Sequence, residues 1–131
     1  MSKKGAIYLV DDDASALKGL TRLLLVAGYE VNAYLSSDEL LKSPIADKKA
    51  CFILDARMPG LSGVDLSAEL EKKGINIPVI FVTADDDEET RKKARAFKAA
   101  GFFRKPVDGP ALLDAIVWAL ETHGQDTGHR V

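Results

Sequence analysis

The chain has 131 residues, of which 47% are hydrophobic and 29% charged, and its formal net charge is −2. These values predict one soluble globular domain rather than a disordered chain, and they give no global reason to expect direct nucleic-acid binding. No apolar run approaches the roughly 18 residues of a membrane span, and the start does not resemble a signal peptide, so a cytoplasmic location is expected. A single cysteine, Cys51, excludes an intrachain disulfide and is typical of a small core residue.

The first part of the chain alternates strand and helix signals. Residues 6–10 are apolar and partly β-branched, which predicts a strand buried on both faces, and three aspartates end it. A helix with leucines at helical spacing follows, with Ser15 as its predicted N-cap and Gly28 at its end. Gly19 inside this helix costs about 1 kcal/mol relative to alanine, and the sequence offers no reason for it. Residues 31–34 are half polar, which favours an edge strand.

The middle of the chain continues the same alternation. Residues 36–41 predict a short helix, and residues 50–54 predict a second buried strand. Residues 61–73 have amphipathic spacing and predict the next helix. Residues 78–82 predict a third buried strand, with proline at its tolerated first position. Residues 85–98 predict a helix that is acidic at its start and basic at its end, which complements the helix dipole.

The last part of the chain predicts one more strand and helix. Gly101 is predicted to end the preceding helix, and residues 102–105 form a short strand with a charged tip. Asp108 is the predicted cap of the last helix. We predict a domain over residues 1–123 and a polar, frayed tail or linker start over residues 124–131. Five strands alternating with five helices predict an α/β fold, a doubly wound five-stranded parallel sheet with the apolar strands at its centre.

Polar side chains follow four of the five predicted strands. Ligands of open α/β sheets bind outside the carboxyl ends of the strands, so these positions are the candidate site. With the strand order 2-1-3-4-5, the ends are neighbours and their side chains converge. The residues at these ends are Asp11, Asp12 and Asp13 after the first strand, Asp55 after the third, Thr83 after the fourth and Lys105 after the fifth.

Several carboxylates in one pocket repel each other, and a hard divalent cation resolves the repulsion. Mg²⁺ commonly takes one or two carboxylates, a carbonyl and waters. A carboxylate held beside Mg²⁺ can attack a phosphoryl group and form an acyl phosphate, with catalysis coming mainly from positioning and charge neutralisation. The pattern therefore predicts Asp55 as a phosphate acceptor and Mg²⁺ as its cofactor.

Four motifs together resemble the receiver domain of two-component response regulators. The similarity covers about residues 5–122, and the amino-acid sequence around Asp55 is most similar to that of the FixJ-like branch. The implied fold is flavodoxin/CheY-like, and the strand order 2-1-3-4-5 is the one known for CheY itself. The motifs are Val10-Asp11-Asp12-Asp13, Leu54-Asp55-Ala56-Arg57-Met58-Pro59-Gly60, Val82-Thr83-Ala84 and Arg104-Lys105-Pro106.

The resemblance implies a role for each acidic residue of the site. Asp55 would accept a phosphoryl group from a sensor histidine kinase. Asp12 would ligate Mg²⁺ together with Asp55 and the backbone carbonyl of Arg57, and Asp11 would act mainly through water. Asp13 has no role in the family pattern, and we expect it to cap a helix.

The resemblance also implies the parts of a conformational switch. Thr83 would move toward the phosphoryl group, and Lys105 would pair with it. Phe102 would be the aromatic residue that turns inward on activation. The Lys105–Pro106 peptide bond would be cis, which only the family pattern supports. The face formed by the last two helices and the strand between them would then control a partner or an output domain.

Three positions depart from the common family pattern. Arg57 is a large cation beside the acceptor, and Asp85 lies two residues after Thr83. These two positions tune dephosphorylation in the family, so the sequence leaves the phosphate lifetime open. Val107 replaces the phenylalanine that commonly follows the Lys-Pro pair. Oligomeric state is also open, with homodimerisation on phosphorylation as one alternative.

Parts of the pattern also fit other classes of protein. Taken singly, Asp55 is typical of a turn, Thr83 of a strand end and Lys105 of a solvated surface, so only the combination indicates the site. One alternative is a phosphatase of the haloacid-dehalogenase type, which normally has Asp-x-Asp followed by Gly-Thr, whereas Ala14 follows here. The other alternative is a phosphate-independent docking module. We expect no DNA-binding domain in the segment after Thr122, so the sequence predicts either a stand-alone receiver or one cut from a longer regulator.

Overall fold

The computed structural model describes residues 4–45, 49–84 and 87–129. Within these ranges strands and helices alternate as the hydrophobic pattern predicts. The prediction made for Asp85 lies outside the described residues. The elements in chain order are β1 Ala6–Val10, α1 Ala14–Val26, β2 Glu30–Tyr34, α2 Ser37–Leu41, β3 Ala50–Asp55, α3 Gly63–Lys72, β4 Val79–Thr83, α4 Glu88–Phe97, β5 Gly101–Arg104 and α5 Gly109–His129.

All five strands are parallel and lie in the order β2-β1-β3-β4-β5, which confirms the predicted sheet. Every residue of β1, β3 and β4 is buried, and the two mixed strands β2 and β5 form the edges. Apolar side chains are needed on both faces of a central strand because helices cover both sides of a parallel sheet. The sheet therefore brings the carboxyl ends of β1, β3, β4 and β5 to one edge.

Successive residues of each strand point to opposite faces and build two apolar layers. Tyr8 and Phe52 belong to one layer, in which Leu66 of α3 is also buried. Ile7 and Ile53 belong to the other layer, together with buried residues of α1 and α5. Because β1 and β3 contribute to both layers, they are fixed from both sides. The positions at which these strands end are therefore fixed by packing on both faces.

The first helix is capped by Asp13 and not by Ser15. The Asp13 carboxylate accepts hydrogen bonds from the backbone N–H groups of Ser15 and Ala16, at 3.0 and 3.3 Å. Both residue types are good N-caps, and the structure places the cap two residues earlier than predicted. The expectation of a capping role for Asp13 is confirmed, and the cap predicted at Ser15 is wrong.

The fourth helix has different ends from those predicted. It begins at Glu88, after Asp87, whose carboxylate accepts a hydrogen bond from the Thr90 N–H at 2.7 Å. It ends at Phe97 and is followed by its C-cap Lys98, which has the left-handed φ of 65° that more often belongs to glycine or asparagine. Gly101 does not end this helix but starts β5.

The aromatic side chains of the last strand and the last helix are only partly buried or exposed. Phe102 packs against one apolar layer and Phe103 against the other, and both are half-buried. Trp118 has 56% of its surface exposed, so it is not a core residue. Asp108 accepts a hydrogen bond from the Ala111 N–H at 3.1 Å and caps α5 as predicted. The backbone of α5 continues as a helix to His129.

We predict that Cys51 does not react with thiol reagents while the protein is folded. Its side chain is fully buried, and burial raises the pKa of its thiol to about 12, so at pH 8 almost no thiolate is present. Incubation with a chromogenic disulfide should give no colour in native buffer and one thiol per chain in concentrated urea. Rapid stoichiometric reaction in native buffer would contradict the burial of Cys51.

Candidate functional site

The four groups of predicted site residues meet at the carboxyl edge of the sheet. Asp11 directly follows β1, Asp55 is the last residue of β3, Thr83 is the last residue of β4, and Lys105 follows β5. Asp11, Asp55 and Thr83 are at most 5% exposed, although all three are polar. Buried polar side chains are stable only when they are paired, so their partners define what this edge can do.

The Asp55 carboxylate is held at both of its oxygens. Oδ1 accepts a hydrogen bond from the backbone N–H of Arg57 at 3.0 Å, and Oδ2 accepts one from the Lys105 ammonium at 3.0 Å. Burial raises the pKa of Asp55, while the contacts with Lys105 and Arg57 oppose this rise. The result is an oriented carboxylate at the end of a buried strand, with 5% of the residue exposed to solvent.

Lys105 bridges two buried carboxylates. Its Nζ lies 2.6 Å from Asp11 Oδ2 and 3.0 Å from Asp55 Oδ2. Desolvation lowers the pKa of Lys105, but the hydrogen bonds and charges of Asp11 and Asp55 outweigh it and raise the pKa overall. The backbone N–H of Lys105 donates to the Thr83 carbonyl at 2.9 Å, and the Lys105–Pro106 peptide bond is cis. The lysine is thus a fixed cation over the acceptor.

Carboxylate oxygens of Asp11, Asp12 and Asp55 lie within 4.8 Å of one another, which fits a hard divalent cation. Asp11 Oδ1 accepts the Asp13 N–H at 2.9 Å, and Asp11 Oδ2 lies 2.6 Å from Lys105 Nζ. Asp12 is exposed at the rim. The donor set matches Mg²⁺, because Mg²⁺ prefers oxygen ligands. The single charge of Lys105 does not neutralise three carboxylates, so a divalent cation would also balance the charge of the site.

The two predicted switch residues lie on neighbouring strands. Thr83 is buried at the end of β4, and Phe102 lies on β5, where its ring is half-buried. The register aligns Phe102 with Phe81, two residues before Thr83. The guanidinium carbon of Arg91 lies 5.3 Å from the centre of the Phe102 ring, within the range of a cation–π contact.

An ion pair at the mouth of the site was not predicted from the sequence. Arg57 Nη1 lies 2.6 Å from Asp87 Oδ2, with about half of each side chain exposed. Asp87 precedes an acidic first turn, and this local pattern is typical of an N-cap, so its capping role could have been inferred. No local signal pairs it with Arg57, which is 30 residues away in the chain.

The arrangement of an acidic triad, a strand-end hydroxyl and a strand-end lysine on this sheet defines a class of protein. The sequence matches the family described as response regulator receiver domain over residues 7–117. The chain belongs to this family, whose members are characteristically phosphorylated on an aspartate. The receiver family and the CheY-like fold inferred from the motifs are therefore confirmed.

Individual relatives support the same assignment. The chain is 41% identical over 120 residues to nodulation protein W of Bradyrhizobium diazoefficiens, covering 92% of this chain and 53% of that protein. It is 30% identical to the transcriptional regulatory protein FixJ of the same organism, covering 92% and 58% of the two chains. The chain thus spans about half the length of these curated relatives.

Solved structures show the same similarity. The crystal structure of FixJ-N matches with a TM-score of 0.81 at 30% identity, covering 92% of this chain and 96% of that one. The response regulator StyR matches with a TM-score of 0.85 at 35% identity, covering 98% and 65% of the two chains.

Helix length and hydropathy also bear on membrane insertion. None of the helices in the described part of the chain combines enough length with enough apolar character to cross a bilayer.

Proposed function

We propose that this receiver domain accepts a phosphoryl group on Asp55 from a sensor histidine kinase and thereby switches a partner or output domain. The observation that carries the proposal is the contact of Lys105 Nζ with both Asp11 and Asp55, at 2.6 and 3.0 Å. Lys105 lies where an incoming phosphoryl group would need a cation. Family membership supports the same chemistry.

The proposed transfer is an in-line displacement at phosphorus. An oxygen of the Asp55 carboxylate forms the new P–O bond, and the bond between phosphorus and the donor nitrogen of a phosphohistidine breaks. The electron pair of that bond stays on the imidazole nitrogen, so no external oxidant or base is required. The Arg57 N–H, which already donates to Asp55, keeps the carboxylate oriented during the transfer.

Mg²⁺ would be held by Asp12, Asp55 and the backbone carbonyl of Arg57, with Asp11 acting through water, and it would supply charge neutralisation. Lys105 would leave Asp55 Oδ2 and pair with phosphoryl oxygens, because an ammonium gains more from a dianion than from a single carboxylate. Thr83 would donate its hydroxyl to the same group.

The proposed switch uses the neighbouring strands. Movement of Thr83 toward the phosphoryl group would open space beside β5, and Phe102 would turn inward and leave its contact with Arg91. Moving a conformational population from 1:99 to 99:1 requires about 5.5 kcal/mol of differential stabilisation. Charge-assisted hydrogen bonds contribute about 1.5–3 kcal/mol each, so two at the upper end of this range or four at its lower end are sufficient. The face of α4, β5 and α5 would carry the change to an effector, an output domain or a second copy of the chain.

Labelling with a small phosphodonor tests the function directly. With acetyl phosphate and Mg²⁺, the intact mass should rise by one phosphoryl group, and a chelator should prevent the rise. Hydroxylamine should remove the label, because it cleaves acyl phosphates but not phosphoserine. No turnover of a small phosphomonoester is expected, so steady hydrolysis would favour the phosphatase alternative. Absence of Mg²⁺ binding and labelling would favour the docking module.

A further inference from the structure

The ion pair between Arg57 and Asp87 joins the loop after β3 to the start of α4. Arg57 lies in the loop after β3, two residues from the acceptor, and Asp87 lies at the start of α4. The Arg57 backbone N–H donates to Asp55 Oδ1, and its side chain contacts Asp87 Oδ2. One residue therefore contacts both the acceptor carboxylate and the start of α4.

The two carboxylate oxygens of Asp87 contact different partners. Oδ1 accepts the Thr90 N–H at 2.7 Å and caps α4, while Oδ2 contacts Arg57 Nη1 at 2.6 Å. A substitution to asparagine would keep the cap, because asparagine is as good an N-cap as aspartate. It would remove the charge that attracts Arg57. The cap and the ion pair can therefore be separated by experiment.

We propose that the Arg57–Asp87 ion pair competes with phosphorylation: a phosphoryl group on Asp55 draws the Arg57 guanidinium away from Asp87 and releases the start of α4 from the acceptor loop. The inference rests on the proposed function. It adds a positioning role for Asp87, which acts through Arg57, and a second route from the acceptor to α4.

The charges favour this exchange. Phosphorylation replaces the single charge of the Asp55 carboxylate with a phosphoryl group that carries about −1.5 to −2 charges and three acceptor oxygens, beside a residue whose backbone already contacts Asp55. The planar guanidinium matches phosphoryl oxygens well and stays charged at all relevant pH values. The Arg57–Asp87 pair is half exposed, and ion pairs of this kind are weak. The phosphoryl group should therefore bind the Arg57 guanidinium more strongly than the Asp87 carboxylate does.

Thermodynamic linkage gives the direction in which each substitution should change the affinity for a phosphoryl mimic. If the ion pair must open for the phosphoryl group to bind fully, then removing the Asp87 charge removes that cost and tightens binding. Binding of beryllofluoride, a phosphoryl mimic, would be measured with Mg²⁺ by calorimetry. Asp87→Asn should bind it about 1.4- to 5-fold more tightly, the range of an exposed ion pair. Nonspecific disruption of the loop around Asp87 would instead weaken the binding of beryllofluoride.

The matched variants isolate the ion pair. Arg57→Gln should weaken beryllofluoride binding, and adding Asp87→Asn to Arg57→Gln should have no further effect. Glu89→Gln removes the same charge from the first turn of α4 but only loses a surface contact with Lys93, 3.5 Å away. It should leave the affinity unchanged.

Three results would overturn the inference. They are an unchanged or weaker affinity in Asp87→Asn, an equal tightening by Asp87→Asn in the Arg57→Gln chain, and an equal tightening by Glu89→Gln. Phosphorylation by acetyl phosphate is measured alongside in each variant. If the unsubstituted chain neither binds the mimic nor takes the label, the proposed function itself fails and the inference fails with it. If it does both, an unfavourable result counts against the ion pair alone.

Discussion

Replacement of Asp55 by asparagine should reduce labelling by acetyl phosphate and Mg²⁺ to background. The change removes the nucleophilic oxygen but keeps the size of the side chain and an acceptor for the Arg57 N–H. Labelling would be followed by intact mass over a time course. Asp65→Asn, an exposed acid on α3, is the matched control and should label like the unsubstituted chain. Undiminished labelling of the Asp55 variant would refute the assignment of the acceptor.

The same variant should fold at least as stably as the parent at neutral pH. Burial raises the pKa of Asp55, and the hydrogen bonds from Lys105 and Arg57 only oppose that rise. A carboxyl group whose pKa is raised by folding favours the folded state below its unfolded pKa of about 3.9, and this contribution is lost as the pH rises through the folded pKa. At pH 7 the ionised group costs stability. A lower urea midpoint would mean that lost labelling reflects damage to the fold.

Replacement of Gly63 by alanine should destabilise the protein by about 3 kcal/mol and slow labelling of Asp55. A Cβ atom at this position would overlap the backbone oxygen of Asp55 and lie 2.8 Å from its carbonyl carbon. Backbone atoms cannot rotate away, so α3 must move from the end of β3, at the upper end of the usual cost of overpacking. Urea denaturation would give the change in the free energy of unfolding.

Gly19→Ala is the control for this second experiment. Gly19 lies inside α1, and a Cβ atom added there meets nothing within 4 Å. Alanine should therefore stabilise the helix by about 1 kcal/mol, because glycine loses more backbone entropy on folding. Equal urea midpoints for the Gly19 and Gly63 variants would show that Gly63 of α3 is not in close contact with the backbone of Asp55.

The strands were predictable because their signals are local and strong, whereas their order 2-1-3-4-5 was implied by the resemblance to receiver domains. Residues 6–10, 50–54 and 78–82 are unbroken apolar runs, and only a sheet covered on both faces buries such runs completely. The half-polar residues 31–34 and the charged tip of 102–105 marked the edges correctly. Helix ends were less predictable because several suitable caps stand side by side, as at Asp13 and Ser15.

The residues of the site were predictable because of where they stand in the chain. Asp55, Thr83 and Lys105 each end or follow a strand, and parallel strands bring such positions to one edge of the sheet. Their partners were less predictable. The sequence resemblance assigned Lys105 to a future phosphoryl group, whereas here it bridges Asp11 and Asp55.

The sequence by itself determined the sheet, the two apolar layers and the edge at which acids, hydroxyl and lysine gather. The strands and the layers follow from side-chain periodicity and from the glycine, proline and aspartate residues at the ends of the elements. The strand order that brings the polar side chains to one edge was implied by the resemblance to receiver domains. Only the tertiary structure decided that Arg57 contacts Asp87 and that Gly63 lies against the backbone of Asp55. These contacts join separate loops across space, and their geometry depends on how α3 and α4 pack on the sheet, which no local pattern encodes.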